Sequence, residues 1–191
     1  MSFLELEDGK ITAMDEYWGD DDIEAIFLYS EWRFSFMELR KYKSEDCTTL
    51  AELFYHTVHT VNSKDYTNDQ LDAWASGDID ISAWNKSFLN HNTLVAEIKG
   101  TIVGFGDMND NGYLDKLFVH KGYQNKGIAT AIVNELEQQA VVCGVTLFST
   151  HASITARPFF EQRGYLVIRE NTVVRSNIKL NNFIMEKKIA E

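Results

Sequence analysis

Residues 93 to 130, TLVAEIKGTIVGFGDMNDNGYLDKLFVHKGYQNKGIAT, constrain the fold more than any other stretch, because three strand-length runs feed directly into a glycine-flanked helix start. The runs cover 93–98, 101–107 and 113–119, joined by the tight turn Lys99-Gly100 and by Asn109-Asp110-Asn111-Gly112, a pattern that predicts an antiparallel meander. Ile128, Ile132, Val133, Leu136, Ala140 and Cys143 then recur at helical spacing, so a helix is expected from near Lys126 to Gly144. A helix start beside a strand end, flanked by glycines and free of acids, leaves backbone N–H groups open to an anion.

The meander sits inside a longer alternation. MELRKYK, from Met37, reads as a first strand. SEDCTTLAELFYHTVHTVN follows, with Leu50, Leu53, Phe54, Thr57, Val58 and Val61 on one helical face and Ser44 as its cap candidate. One or two short helices are expected next, with Thr67 and Asp69 near the first start and Gly77 as a break. Beyond the long helix, VTLFSTH reads as a buried strand and SITARPFFEQRG as a short helix with Pro158 in its first turn. YLVIRE and KLNNFIMEKK read as two closing strands, which completes an α+β domain.

Charge divides the chain in two. Residues 1–36 hold ten Asp or Glu against Lys10 and Arg33, a net of −8 out of −11, and leave the other 155 residues near neutral. This prefix also carries Trp18, Phe27, Tyr29, Trp32, Phe34 and Phe36, too many aromatics for a plain disordered tail, so it is expected to dock on something. Met37 equally suits the start of the folded domain, with the prefix an appended extension. The division is therefore an acidic aromatic extension over 1–36 and a domain over 37–191.

The overall acidity disfavours nucleic acid and anionic membrane as partners and points weakly toward amines. The chain lacks an apolar run of membrane-spanning length and a signal-peptide pattern, which makes a cytoplasmic protein the expectation. Cys47 and Cys143 lie in no metal or disulfide spacing and read as reduced thiols.

Two ligand motifs fail on inspection. Asp107, Asn109, Asn111 and Gly112 begin a calcium-loop pattern, but its twelfth place is Phe118 rather than a glutamate. No metal site is expected. GYQNKGIAT lacks both the Lys-Ser/Thr of a phosphate loop and the G-x-G-x-x-G order of a dinucleotide site. What survives is Q-x-x-G-x-A: Gln124, Gly127 and Ala129 between a strand ending LFVH and an amphipathic helix, small enough to let a bulky diphosphate approach the backbone.

With that loop, the block LDKLFVHKGYQNKGIATAIVNELE and the later ARPFFEQRGY, the chain resembles the GNAT superfamily of acyl-CoA-dependent N-acetyltransferases over roughly residues 37 to 188. LAELFYHTVHTVN, DYTNDQLDAWA, ITARPFFEQRGY and LNNFIMEKK are similar to its YafP-like branch. The resemblance implies a GNAT fold, with a central mixed and mostly antiparallel sheet of about seven strands flanked by helices. It also implies acetyl-CoA as co-substrate, with a small amine or peptide as acceptor. Backbone groups of Gln124, Asn125, Lys126, Gly127, Ile128, Ala129 and Thr130 would cradle the pyrophosphate, and Leu117, Phe118 and Val119 would pair with the pantetheine arm. Ser153 stands where the family usually has an asparagine, and Phe160 where it has the tyrosine that protonates the leaving thiolate. Water, the departing amine proton, Tyr165 or Tyr123 would have to serve instead. A homodimer is compatible with the resemblance.

For the base, strict strand alternation sets Tyr113 and Asp115 on the face of Leu117, and Asp115 is the better proton acceptor through a water. A strand-end acid paired with Lys116 or Lys99 explains Asp115 equally well. His56 and His59, three apart on the first helix, are alternative bases or plain helix-surface histidines. Tyr55, Tyr66, Trp74, Trp84 and Phe88 are expected around the acceptor wall, where core packing competes with stacking on a cation. The expected activity is acetyl transfer to a primary amine by direct attack in a ternary complex. The alternatives are a non-catalytic acyl-CoA binder of the same fold, or a docking module whose working part is the prefix.

Overall fold

The computed structural model describes residues 37–189 in full and, before them, the backbone of Leu6–Glu7 and Lys10–Ile11, which form a two-residue antiparallel ladder. The chain divides into two units, Met1–Phe36 and Met37–Glu191. The expectation that the aromatic prefix docks falls outside the described residues.

In the second unit the elements run β1 (Met37–Lys41), α1 (Cys47–Val61), α2 (Asn68–Trp74), α3 (Ile81–Asn90), β2 (Asn92–Ile98), β3 (Thr101–Met108), β4 (Tyr113–Val119), α4 (Ile128–Val142), β5 (Leu147–Ser153), α5 (Arg157–Gln162), β6 (Leu166–Arg175) and β7 (Ile178–Lys188). The strands form one seven-stranded sheet in the order β1-β2-β3-β4-β5-β7-β6, antiparallel everywhere except between β4 and β5. This is the mixed, mostly antiparallel sheet expected from the sequence.

Two apolar layers clothe the sheet. On one face Ile128, Ile132, Val133 and Leu136 of α4 and Phe160 of α5 pack on Val103, Leu114, Val119, Phe148 and Met185. On the other, Leu50, Leu53, Phe54 and Val58 of α1, Leu71 of α2 and Phe88 of α3 pack on Val95, Phe105 and Leu180. Each such large side chain, fully buried, stabilises by roughly 1.5–3 kcal/mol. Gly104 and Gly106 of β3 set how closely α4 sits: a Cβ at 106 would lie 2.8 Å from Ile132 Cγ2, and one at 104 would lie 3.1 Å from Ile128 Cγ2. The missing side chains let the start of α4 lie almost on the backbone of the sheet.

Local signals account for most boundaries. The Thr67 hydroxyl accepts from the Gln70 N–H while the Gln70 side chain accepts from the Thr67 N–H, a reciprocal cap that starts α2. Ser44 is not the cap of α1: Ser44–Asp46 form one 3-10 turn, and Asp46 Oδ2 accepts the Lys43 N–H at 2.8 Å. The β2–β3 turn has positive φ at Lys99 (50°) and Gly100 (78°), which suits a two-residue hairpin. Ser176 (48°) and Asn177 (64°) make the same kind of turn between β6 and β7. That hairpin extends β6 to Arg175, five residues beyond the run YLVIRE. VTLFSTH is a half-buried rather than a buried strand: from Leu147 its residues alternate between outside and core. Among the described residues no helix is long and apolar enough to cross a membrane.

Candidate active site

The sheet splits in the middle. β4 and β5 are paired only at Tyr113–Ser149 and Leu114–Thr150, reinforced by the Thr150 hydroxyl donating to the Leu114 carbonyl at 2.9 Å. Beyond that point β5 follows β7 along its whole length, and β4 stays with β3. The parting begins at a bulge in β4, where Asp107 faces Lys116 and Met108 faces Leu114, so Asp115 is the extra residue. A cavity of about 1100 Å³ opens in and around the gap.

The bulge overturns one expectation. Alternation through Tyr113, Asp115 and Leu117 would put all three on one face, but the inserted residue reverses the phase: Leu117 packs with the α4 layer, while Lys116 and Phe118 lie on the α1 side. Tyr113 and Asp115 still line the cavity. Burial, then the Asp115 and Asp107 charges, push the Tyr113 phenol up to about 12.

Backbone groups face the gap from β4. The His120 N–H bonds the Val103 carbonyl at 2.8 Å, so by alternation Phe118 turns its peptide groups toward β3, and Leu117 and Val119 turn theirs toward the gap. The Val119 carbonyl is already used: Gln124 Nε2 donates to it at 2.5 Å and the Thr57 hydroxyl at 3.3 Å. Gln124 therefore contributes a side-chain tether that locks the loop onto the strand end, a role the backbone reading of its motif missed.

The loop delivers α4 to the mouth of the cavity. Gly127 is its N-cap residue at φ +79° and ψ 0°, Asn125 is also left-handed at φ +59°, and no side chain caps the helix. The N–H groups of Ile128, Ala129 and Thr130 are thus left without an intrahelical or capping partner, at the positive end of a fifteen-residue helix. A Cβ on Gly127 would meet nothing within 4 Å. Toward the protein itself, the glycine serves the left-handed backbone rather than a close packing contact. Gln124, Asn125, Gly127, Ile128, Ala129 and Thr130 all line the cavity; Lys126 lies outside it, its ammonium 4.9 Å from the Tyr123 ring centre.

The α1–α2 connection roofs the gap. Thr57, near the end of α1, ties its approach to β4, and the connection itself reaches the far side through Asp65, which accepts from the Thr155 hydroxyl at 2.6 Å, and through Tyr66. The Tyr66 hydroxyl accepts the Ile154 N–H at 2.9 Å and donates to the Asn181 carbonyl at 2.8 Å. Beneath this roof Phe54, Tyr66, Trp74, Trp84 and Phe118 form an aromatic wall. Of the expected wall, Tyr55 and Phe88 drop out: Tyr55 stacks on His59 at 4.2 Å, and Phe88 is 1% exposed in the core.

The histidines expected as bases are elsewhere. Neither His56 nor His59 lines the cavity; His59 bonds the Tyr55 carbonyl and Asp72, and His56 is exposed on the outer face of α1. A different histidine emerges. His91, after α3, bonds fully buried Asp107 at 2.6 Å, and Asp107 lies beside Lys116, which pairs with Asp115. The carboxylate holds His91 above its ordinary range, and burial pushes Asp107 up. The sequence does carry a signal for this, since Asp107 is a lone acid in the run IVGFGDM.

Ser153 lines the cavity, and its hydroxyl accepts the Ala156 N–H at 3.1 Å. Phe160 also lines it and is 2% exposed. Tyr165 cannot substitute for the missing phenol: it is buried away from the cavity, and its hydroxyl donates to Glu137 at 2.9 Å. Tyr123 does line the cavity.

Comparison with known proteins agrees with this geometry. Residues 62–187 match the model of the acetyltransferase (GNAT) domain. The chain is 31% identical to the N-acetyltransferase YafP of Escherichia coli over 80% of its own length and 96% of that protein's. A crystal structure from Rhodopseudomonas palustris described as a GCN5-related N-acetyltransferase superposes with a TM-score of 0.77 at 31% identity, covering 80% of this chain and 95% of that one. The PaiA N-acetyltransferase of Thermoplasma acidophilum, solved with coenzyme A, shares the fold at a TM-score of 0.68 and 19% identity over 80% of this chain and 99% of that one. With a split β4–β5 sheet, an uncapped helix at the mouth of the split and a family match over most of its length, this chain belongs to the GNAT family of acetyltransferases, on its YafP-like branch.

Proposed function

We propose that the protein transfers an acetyl group from acetyl-CoA to a primary amine by direct attack within a ternary complex. The observation that carries this reading is the split itself. An unpaired strand edge ending at an uncapped helix N-terminus fits a ligand that is peptide-like at one end and a diphosphate at the other. The pantetheine arm would lie along Leu117 in place of the missing strand, and the pyrophosphate on the N–H groups of Ile128, Ala129 and Thr130. The N–H of Leu117, facing the gap, would steady the thioester carbonyl oxygen as charge builds on it.

The acceptor enters under the roof against the aromatic wall. Its unprotonated nitrogen attacks the carbonyl carbon, a C–N bond forms, the C–S bond breaks and coenzyme A leaves as the thiol. Asp115, at the bulge, takes the amine proton through a water. Phe160 cannot return one to the thiolate, so that proton comes from solvent or from the phenol of Tyr123, the cavity-lining tyrosine that directly precedes Gln124.

The absent phenol favours one rival reading, a protein that binds acyl-CoA without turnover. Titration calorimetry with acetyl-CoA, followed by thiol release against a panel of primary amines in the same buffer, separates the two. Binding with amine-dependent release is expected. Binding without release from any amine would favour the rival, and no binding would refute both.

A further inference from the structure

Lys116 occupies an unusual position for a lysine: its side chain is 16% exposed, and its ammonium is held on four sides. Nζ pairs with Asp115 on the cavity side and lies 5.4 Å from the ring centres of both Trp84 and Phe88. Behind it, at 3.9 Å, is Asp107 Oδ1. Asp107 is 0% exposed, and while Oδ2 is engaged by His91 at 2.6 Å, Oδ1 has no hydrogen-bond partner. A fully buried carboxylate oxygen without a hydrogen bond costs free energy, and one short swing of the lysine would turn the 3.9 Å ion pair into one.

We propose that Asp115 and the Trp84 face form the site where the acceptor's ammonium group docks before it loses one proton to solvent and attacks, and that Lys116 is a placeholder that withdraws to Asp107 when the acceptor arrives. This deepens the transferase reading and rests on it. An alkylammonium has the chemistry Lys116 itself displays there: one positive charge, a carboxylate partner and an aromatic face. Trp84, Asp115 and Lys116 all line the cavity, whereas Asp107 and Phe88 do not, so the refuge lies behind the site and the vacated place opens toward it. The Asp107 carboxylate, steadied by His91, compensates the lysine after the move. The ligand class is a primary ammonium on an unbranched or aromatic stem that can follow the wall from Trp84 toward Phe54 and Phe118, whose rings lie 5.2 Å and 4.9 Å apart along that path.

Two substitutions should act in opposite directions. Lys116→Met removes the competitor and lowers the KM of the best amine, whereas Asp107→Asn weakens the refuge and raises it, each by about three- to tenfold given the strength of such contacts. The KM for acetyl-CoA stays unchanged in both. The same order is expected without turnover, when n-butylammonium chloride is titrated into the protein and the Trp84 indole N–H signal is followed by NMR. Wild-type protein that binds acetyl-CoA and releases no thiol would defeat the transferase reading, while this titration would still decide the ammonium site. Shifts of both variants in the same direction, equal affinities in all three proteins, or an unmoved Trp84 signal would overturn the proposal. If Asp107→Asn does not fold, Trp84→Leu takes its place, with a raised amine KM and an unchanged acetyl-CoA KM as the expected result.

Discussion

Gly127 and Asp115 carry different kinds of burden, and the difference can be measured. At Gly127 the protein's own demand is on the backbone: φ is +79°, and a Cβ would meet no protein atom within 4 Å. Gly127→Ala should therefore cost about 1–2 kcal/mol, the penalty for an L-residue in the left-handed region. Part of that penalty would be relieved by unwinding the cap, which would misdirect the N–H groups of Ile128 to Thr130. The expected outcome is a lower melting temperature together with weaker acetyl-CoA binding in calorimetry. At Asp115 the demand we propose is chemical. Asp115→Asn keeps the size of the side chain and removes its basicity, so kcat should fall by about a hundredfold or more, the usual contribution of a positioned base, with acetyl-CoA affinity unchanged. A stopped-flow assay of thiol release gives kcat directly, and a drop below threefold would remove Asp115 from the reaction. These residues were not equally legible. The Q-x-x-G-x-A spacing marks Gly127 in the sequence, but the face of Asp115 depends on a bulge that no alternation pattern announces.

Among the elements, α4 and the β3–β4 pair show what periodicity can and cannot deliver. The helix was readable from Ile128, Ile132, Val133 and Leu136, but its closeness to the sheet follows from two glycines in β3. Gly106→Ala would set a methyl 2.8 Å from Ile132 Cγ2 and should cost about 1–3 kcal/mol by overpacking, read as a lowered denaturation midpoint. The hairpin of β6 and β7 was half legible, because the polar run ENTVVRSN hides a strand whose pairing is entirely with β7. His91 and Asp107 join the end of α3 to β3, and their pairing has a sign. The Asp107 hydrogen bond raises His91, and burial raises Asp107, so the folded chain holds protons more tightly than the unfolded one at both groups. The histidine's share of this stability is fully present below its unfolded value near 6.5 and is lost as pH rises through the higher folded value, while the share from the buried carboxyl of Asp107 is lost earlier, as pH rises from the ordinary carboxylate value through its raised one. Thermal melts should show Asp107→Asn less stable than wild type at acid pH, with the gap narrowing as pH rises above neutrality. A gap that widens with pH would mean that the pair is not held together by the histidine's proton.

At the level of the whole molecule, charge divides the sequence near residue 36, and the seven-stranded sheet lies on one side of that junction. Among the described residues, both apolar layers are built wholly from residues of the second unit, from Met37 on β1 to Ile189 after β7. The residues that line the cavity likewise run from Phe54 to Asn182. What lies on either side of the split is also tied within that unit. Glu137 of α4 accepts from Tyr165 at 2.9 Å, Arg163 at 3.3 Å and Lys187 at 2.6 Å on one face, and the Asp65 and Tyr66 roof closes the other. Among the described residues, the ties that set the width of the gap all lie within 37–191. These ties join residues far apart in sequence, which is why the meander and the loop were readable and the cavity they enclose was not. A chain of residues 37–191 is accordingly expected to fold alone, with acetyl-CoA affinity within about twofold of the full chain and a melting temperature within about 2 °C. Its net charge would change from −11 to −3, so ion-exchange elution would move even where stability does not. Loss of amine turnover on truncation, with acetyl-CoA binding retained, would instead assign the acidic prefix to the acceptor side, where its carboxylates would gather cations for the site.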